Sequence, residues 1–384
     1  MTSAQPPHLT VVGHPGHRRV TLFGAAARAA GLPEPTVLPW LDLLRGSFRL
    51  TPGTLVRIDS PGEDEAVDRL LRGPTLGAGY APARVEGTAA WYRGLLAALA
   101  ELADAVARTP GAALLGDPAE IAAMFDKRRT HRLLRDAAVA VPAALEGVRA
   151  PPAGWAALKE RLAAAGLRRV FVKPAHASSA SGVLALEFSP RGRVQATSSV
   201  RLVDGALFNS LRVSRYRDEG EIAAIVDRLA PDHLHVERWI PKAGQDGRAA
   251  DLRVVVVAGR VTHAVVRTSS GPMTNLHLGG ARGDLARAMA AAGARRADLT
   301  ELCERAAACF PNAPMVGVDV LPTAGWQRFL VGEVNAFGDL LPGLAGLADG
   351  PAPGQDTHRA QLTALLERHR RLTPLTDPPE RRAP

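Results

Sequence analysis

The stretch RRVFVKPAHASSASGV, residues 168–183, sets the terms for reading the whole chain. Its apolar run, with β-branched and aromatic residues, predicts a strand that ends at Lys173. Lysine is almost abandoned elsewhere: of 47 basic residues, only Lys127, Lys159, Lys173 and Lys242 are lysines. Arginine presents a rigid planar fork and lysine a compact, mobile point charge, which suits a phosphate oxygen beside a metal ion. The residues after Lys173, including Ser178, Ser179, Ser181 and Gly182, are small. A loop of that kind can fold over phosphates with backbone N–H groups and hydroxyls. Lys127, in MFDKRRTHRLL on a predicted helix, calls for the same explanation. Lys159 and Lys242 read as incidental survivors in an arginine-rich chain.

Outward from this stretch the periodicity changes character. From 168 to 213 the short runs RRVFVKP, GVLALEF, RVQATSS and LFNSLRV predict an antiparallel sheet with hairpins. Upstream, helices are predicted over about 118–136 and 152–165. Before them the strands HLTVVG and TLVRI alternate with helices at about 18–30 and 87–108, the pattern of a parallel α/β domain. Ser60, followed by Pro61 and Glu63, predicts a capping box opening another helix. Downstream, a helix near 218–229 leads into HLHVERWI, and LRVVVVAGRVTHAVVR predicts a hairpin turning at Ala258-Gly259. Two helices over roughly 284–310 precede a last strand pair, MVGVDVLP and RFLVGEVN. The tail from about 357 predicts a polar amphipathic helix with a frayed end.

Composition narrows the function classes. A chain of 384 residues suggests two or three domains, and 46% hydrophobic residues supply a sizeable core. The two cysteines, Cys303 and Cys309, fall in one predicted helix, so no disulfide framework is expected and a reducing, cytoplasmic setting is. The start MTSAQPPHLT lacks signal-peptide character, and no run of about 18 uncharged apolar residues predicts a membrane span. The net charge of +9 is spread along the chain with no basic block interleaved with aromatics, which are only 4% of residues, so no nucleic-acid partner is expected. Such a spread fits the composition of a GC-rich genome, and the positive field still favours anionic substrates. Neither G-x-G-x-x-G nor G-x-x-x-x-G-K-[ST] occurs; after Gly79 of GAG comes YAP.

The last strand pair carries the clearest chemistry. Asp319 lies in GVDV and Glu333 in GEVN, on strands expected to be neighbours, and Glu333 and Asn335 share a strand face. Two carboxylates and an amide oxygen in an apolar sheet are costly unless paired, and a hard cation such as Mg²⁺ is the natural partner. Acidic but solvated strand ends are the competing reading. In HLHVE, His233, His235 and Glu237 are expected to share one strand face; three ligands along a straight strand span roughly 13 Å, too far for one ion, so a half-exposed strand is preferred. GHPGHRR reads either as an anion-binding turn at a helix N-terminus or as an ordinary βα turn.

The order of these features resembles the ATP-grasp superfamily over about residues 118–345: a lysine on a helix, a lysine before a small-residue loop, VERWI, DLR, a further arginine, TNLHLGG, then an Asp and a Glu-x-Asn. The section from VERWIPKAGQDGRAADLR to VGEVNAFGDLLPG looks most like ligases that add amino acids to a carboxylate, such as ribosomal-protein glutamate ligases and glutathione synthetases, and the whole chain is similar to uncharacterised bacterial ATP-grasp proteins. The resemblance implies an α/β chain: an N-terminal parallel pre-ATP-grasp domain over 1–118, a first lobe with a phosphate lid over 119–240, a second lobe with the metal site over 241–345, and a C-terminal helix and tail over 346–384. It implies that Lys127 and Lys173 contact ATP phosphates and that SSASG, residues 178–182, is the lid, although this lid is poorer in glycine than is usual. It places Glu237, Arg238, Trp239 and Ile240 in the linker that reads adenine, with Glu237 facing the base amino group, and offers Asp251 or Asp246 for the ribose hydroxyls. Asp319, Glu333 and Asn335 become ligands of one or two Mg²⁺ ions, with Mn²⁺ an acceptable substitute. Arg253 and Arg267 fall near the transferred phosphate and the developing oxyanion, and Asn275 with Gly279-Gly280 shapes the acceptor side.

The implied activity is an ADP-forming carboxylate–amine ligation through an acyl phosphate. A phosphotransferase acting on a hydroxyl, or a nucleotide-binding scaffold without turnover, are the alternatives. The full set of lysines, arginines and metal ligands weighs against the scaffold. Expected partners are ATP, an unidentified carboxylate and an unidentified amine; no membrane is expected, and nothing in the sequence bars a homodimer.

Overall fold

The computed structural model describes residues 7–74, 80–145, 152–178, 180–337 and 343–372. The chain begins with β1 (Leu9–Gly13), α1 (Arg18–Ala29), β2 (Thr36–Pro39), α2 (Trp40–Leu44), β3 (Leu55–Ile58), α3 (Glu65–Arg72), α4 (Thr88–Arg108) and β4 (Ala113–Leu114). These strands form a parallel sheet in the order β2-β1-β3-β4. β1 and β3 are buried at every position, as a sheet covered on both faces requires. α4 lays Leu95, Leu99, Leu102 and Val106 against this core at helical spacing.

α5 (Pro118–Met124), α6 (Lys127–Asp136) and α7 (Trp155–Ala164) lead to β5 (Arg169–Pro174), β6 (Leu184–Phe188), β7 (Val194–Val203), β8 (Ala206–Tyr216), α8 (Glu219–Leu229) and β9 (Leu234–Arg238). The strands make an antiparallel sheet in the order β8-β7-β6-β5-β9, with α7 and α8 packed on one face. β10 (Gly244–Gln245), β11 (Arg248–Val257), β12 (Arg260–Ser269) and β13 (Ala281–Arg282) follow, then α9 (Leu285–Ala292), α10 (Arg296–Ala308), β14 (Met315–Pro322), β15 (Phe329–Asn335) and α11 (Thr357–Leu372). Their sheet runs β13-β12-β11-β14-β15, with β10 on β11. One face buries Leu252, Val254, Val266, Val318, Val320 and Val334 against Leu299, Cys303 and Ala306 of α10. Each such leucine or valine contributes roughly 1.5–3 kcal/mol on burial. The other face carries charge.

Several local expectations are corrected. The helix after β3 starts at Glu65, capped by Asp64, whose carboxylate accepts from Val67 N at 2.9 Å. Ser60 only closes a turn, accepting from Gly62 N at 3.2 Å, because Glu63 at φ 75° breaks any helical continuation. The single helix expected over 118–136 is two: Asp126 caps a new start, accepting from the amides of Arg128 and Arg129, and Lys127 becomes the first residue of α6. α11 forms as expected, while the frayed end expected after it, DPPERRAP, lies outside the described residues. α11 buries Leu362 and Leu365 against the core beside β1 and α1. No helix among the described residues is long and apolar enough to cross a membrane.

Candidate active site

The charged face of the six-stranded sheet brings distant residues into one row. Asp251 on β11 pairs in register with Arg267 on β12, Arg253 with Asp319 on β14, and Asp319 with Glu333 on β15. Asn335 sits two residues beyond Glu333, opposite Gly317. Alternation along each strand puts all six on one face. The register slips just after Asp319, where Val320 pairs with Val331, so Gly332 is the extra residue of a β-bulge beside Glu333. A Cβ on Gly332 would press on the Leu321 side chain at 3.0 Å, which favours glycine there.

Electrostatics tie the row together. Arg253 grips Asp319 through Nε and through Nη2 at 3.2 Å, and Arg267 Nη2 lies 3.1 Å from the same carboxylate. Burial alone would raise the Asp319 carboxyl, but the two guanidiniums prevail and hold it far below the usual carboxylate range. Arg267 also donates through Nε to Asp251 at 2.8 Å, and Asp251 accepts from the Thr274 hydroxyl. Burial would lower the Arg267 guanidinium, yet Asp319 and Asp251 together raise it.

The lysines enter from the other side. Lys127, at the start of α6, donates to Glu333 Oε1 at 2.8 Å and to the Ala177 carbonyl. Lys173, on β5, donates to Glu237 Oε1, while His235 Nε2 lies 3.0 Å from Glu237 Oε2. Burial opposes the charge on Lys173, but Glu237 and, across the cleft, Glu333 and Asp319 raise its pKa. Burial likewise pushes Glu237 up, and Lys173 with His235 holds it down to about 2. Glu237 is thus turned inward, with both carboxylate oxygens partnered within the protein. His233 does not share its strand face: at φ 61° it precedes β9 and is exposed.

Lys242 is the residue that sequence reasoning missed. Its side chain is 7% exposed, and Nζ lies 3.0 Å from Thr274 Oγ1 and 3.7 Å from Asp251. Burial lowers its pKa in spite of Asp251. The scarcity of lysine was the available signal, since three of the four converge here. The fourth, Lys159, pairs with Glu219 on the surface. Of the two ribose candidates, Asp251 lies in the cleft, whereas Asp246 is on the outside, bidentate to Arg287 at 2.9 and 3.0 Å.

The small-residue loop is pinned at several points. Ser181 N donates to Ser178 O at 2.9 Å, and Ser199 donates to Ala180 O at 2.8 Å. Gly182 has φ 71°, and a Cβ there would meet Pro174 and Val85 at 2.7–2.8 Å, so only glycine fits. Ser179 lies outside the described residues. Val183, following the loop, packs on Met273 and Leu278 from the far side of the cleft. Asn275 shapes that side as a turn cap, its side-chain Oδ1 accepting from His277 N at 2.9 Å. In the linker, Arg238 N donates to Ala143 O at 2.7 Å and Trp239 N to Arg169 O at 2.9 Å. Ile240 follows, half-buried. A small recess opens among Met124, Lys127, His131, Glu237, Val331 and Glu333.

The metal expectation meets a fitting donor set. Asp319, Glu333 and Asn335 offer hard oxygens on one face, as Mg²⁺ prefers. Among the described residues no cluster of three or more His, Cys, Asp or Glu side chains is placed to hold a metal ion, so water or phosphate oxygens would have to complete the shell.

No protein-family model and no curated protein matches the chain. Solved structures do. D-cycloserine synthetase DcsG is 16% identical, with 94% of this chain and 99% of that one covered and a TM-score of 0.55. The macrocyclase MdnC from Microcystis aeruginosa MRC, solved with its precursor peptide MdnA, is 13% identical over 94% and 99% at a TM-score of 0.52. The ATP-grasp ligase PsnB, solved with a minimal precursor, is 16% identical over 94% and 99% at 0.51. These likenesses identify the fold as that of the ATP-grasp ligases.

Proposed function

We propose that this chain is an ATP-dependent, ADP-forming ligase that joins a carboxylate to an amine through an acyl phosphate. The observation that carries the reading is the convergence of Lys127, Lys173, Arg253, Arg267, Asp319 and Glu333 on one cleft between two antiparallel sheets. Nothing about folding requires so many buried charges in one place, since removing them in favour of apolar residues is commonly neutral or stabilising. Phosphoryl transfer does require them, because its catalysis is positioning plus charge stabilisation.

The roles are assigned from the resemblance to ATP-grasp ligases, and the convergence of charge supports them. Lys127 and Lys173 exchange carboxylate for phosphate oxygens. The amides and hydroxyls of Ser178 and Ser181, with the Gly182 turn, close over the phosphates and exclude water from the acyl phosphate. The backbone of Arg238 and Ile240 reads the base edge, and Asp251, steadied by Arg267 and Thr274, is the candidate for the ribose hydroxyls. Arg253 and Arg267 stand where charge develops on the transferred phosphate and then on the tetrahedral oxyanion. Asp319, Glu333 and Asn335 would hold Mg²⁺, or Mn²⁺ in its place, which supplies charge neutralisation on the phosphates. Other structures of this fold support the cofactor choice, PsnB having been solved with Mg and ADP.

The test is ADP release from MgATP screened against pools of carboxylates and amines, with mass spectrometry of the products. The reading expects ADP only when a carboxylate is present and an amide product when an amine is added. Stable phosphate esters of a hydroxyl compound would replace it with the phosphotransferase reading.

A further inference from the structure

Glu237 has two carboxylate oxygens and two unlike partners. Lys173 donates to Oε1, and the His235 ring holds Oε2, its Nε2 3.0 Å away. The strands fix this grouping. Lys173 on β5 pairs in register with His235 on β9, and Glu237 stands two residues further along β9 on the same face. The side chains of His235 and Glu237 are 7% and 4% exposed. An ionised carboxylate only accepts, so Nε2 carries the ring hydrogen, and a second proton would enter at Nδ1.

The two partners meet different demands when a nucleotide enters. In the ligase reading Lys173 turns to phosphate oxygens, which leaves Glu237 without its ammonium. A buried carboxylate without a cation is strongly disfavoured. His235 is already in hydrogen-bond contact and is able to become a cation. In the free protein burial holds the ring below the usual histidine range; Glu237 opposes this, and Lys173 and His131 add to it. Departure of the Lys173 charge and arrival of phosphate both act the other way and favour the imidazolium. The charged and titratable groups around His235 are Glu237 beside it, Lys173 on β5, His131 and Lys127 on α6, and Glu333 on β15 across the recess. The His131 ring lies 5.4 Å from that of His235 and donates through Nε2 to the Pro142 carbonyl at 2.8 Å. Lys127 is paired with Glu333. His235 is therefore the group that remains against Glu237 when Lys173 turns away.

We propose that His235 is a positioning residue of the nucleotide site, holding Glu237 through Oε2 so that Oε1, released by Lys173, accepts from the exocyclic amino group of an adenine. In the same step His235 takes up one proton from solvent at Nδ1 and becomes the cation that Glu237 needs. No other bond forms or breaks. Guanine presents a carbonyl oxygen where adenine presents the amino group, and two acceptors cannot pair, so the held carboxylate selects adenine. The inference rests on the nucleotide half of the ligase reading and needs neither the carboxylate nor the amine.

The test is MgATP calorimetry on the full-length protein at pH 7 in PIPES and in Tris, whose different ionisation enthalpies reveal the protons exchanged on binding. Protons exchanged by the nucleotide itself are common to wild type and variants and cancel in the difference. Wild type is expected to take up about half a proton or more beyond His235→Gln, whose amide can still donate to Glu237 but cannot ionise. His235→Gln should keep the preference for ATP over GTP, and His235→Leu should lower it about tenfold or more. The His235→Gln comparison stands even where His235→Leu fails to fold. Equal proton uptake in wild type and His235→Gln, or an undiminished ATP preference in His235→Leu, would overturn the proposal. Absent MgATP binding in wild type would remove the nucleotide reading and this proposal with it, while normal MgATP binding with equal proton uptake would remove this proposal alone.

Discussion

The cleft between the two antiparallel sheets and the outer surface both carry ion pairs, and they differ in kind. On the surface, Arg28–Glu34, Arg69–Glu65, Arg287–Asp246 and Lys159–Glu219 join side chains that are about half exposed. Such pairs are worth roughly 0–1 kcal/mol. In the cleft, Lys173–Glu237, Arg253–Asp319 and Arg267–Asp251 join side chains that are 15% exposed or less. Desolvation there nearly cancels the attraction, so the pairs are poor stabilisers as units and costly to break singly. The surface uses whichever basic residue is abundant. The cleft holds three of the four lysines, each within 4 Å of a carboxylate.

Lys173→Met should break the comparison most sharply. Its loss leaves Glu237 buried against His235 alone, and a loss of about 3–5 kcal/mol is expected in urea denaturation. MgATP binding by calorimetry should vanish with it. Adding Glu237→Met should restore most of the stability without restoring ATP binding. If the single variant is as stable as wild type, Lys173 is not paired as described.

Glu333→Gln separates function from stability. Its partner Lys127 remains, and the Glu333 side chain is 32% exposed, so unfolding should shift by no more than about 1 kcal/mol. ADP formation at saturating ATP should fall roughly 100-fold or more, the proposed metal having lost a charged ligand. A variant with normal turnover would move the metal elsewhere.

Much of this arrangement was legible beforehand, and the exceptions have physical causes. Strand alternation and antiparallel register suffice to bring Asp319, Glu333 and Asn335 to one face, because a side-chain period of two leaves no choice once the strands pair. Lys127 and Lys173 stood out by scarcity. What stayed hidden depended on three-dimensional partners. The inward turn of Glu237 requires Lys173 across β5 and His235 beside it, and a strand reads the same whether its last acid faces water or a lysine. Lys242 follows β9 in a connecting segment with no periodicity to mark it as buried. The break between α5 and α6 rests on one aspartate that ordinary helix propensity tolerates. The C-terminal helix looked polar because the face it buries is narrow and includes His358 and Gln361.

Acid should distinguish the two populations next. The folded pKa of Glu237 is about 2, below its ordinary 4.5. Its contribution is therefore complete above about 4.5 and is lost as pH falls toward 2, because the unfolded chain binds the proton first. Chemical denaturation at pH 5 and pH 3 should show a loss with a share on the order of 2 kcal/mol from Glu237, a share that is absent in Glu237→Gln. An equal slope in both proteins would remove Glu237 as a main contributor. The smallest effect belongs to the surface: Lys159→Ala should change stability by less than about 1 kcal/mol and ATP affinity not at all. A larger loss would mean that surface pairs matter more than their exposure implies.

Trapping with hydroxylamine tests the central claim most directly. The protein is incubated with MgATP, a panel of carboxylic acids and hydroxylamine, and nucleotide and hydroxamate are quantified together. The account predicts ADP and hydroxamate formed in equal amounts, both dependent on a carboxylate and both lost in Lys173→Met/Glu237→Met. Release of AMP and pyrophosphate, or ATP consumption that yields a phosphate ester and no hydroxamate, would contradict it.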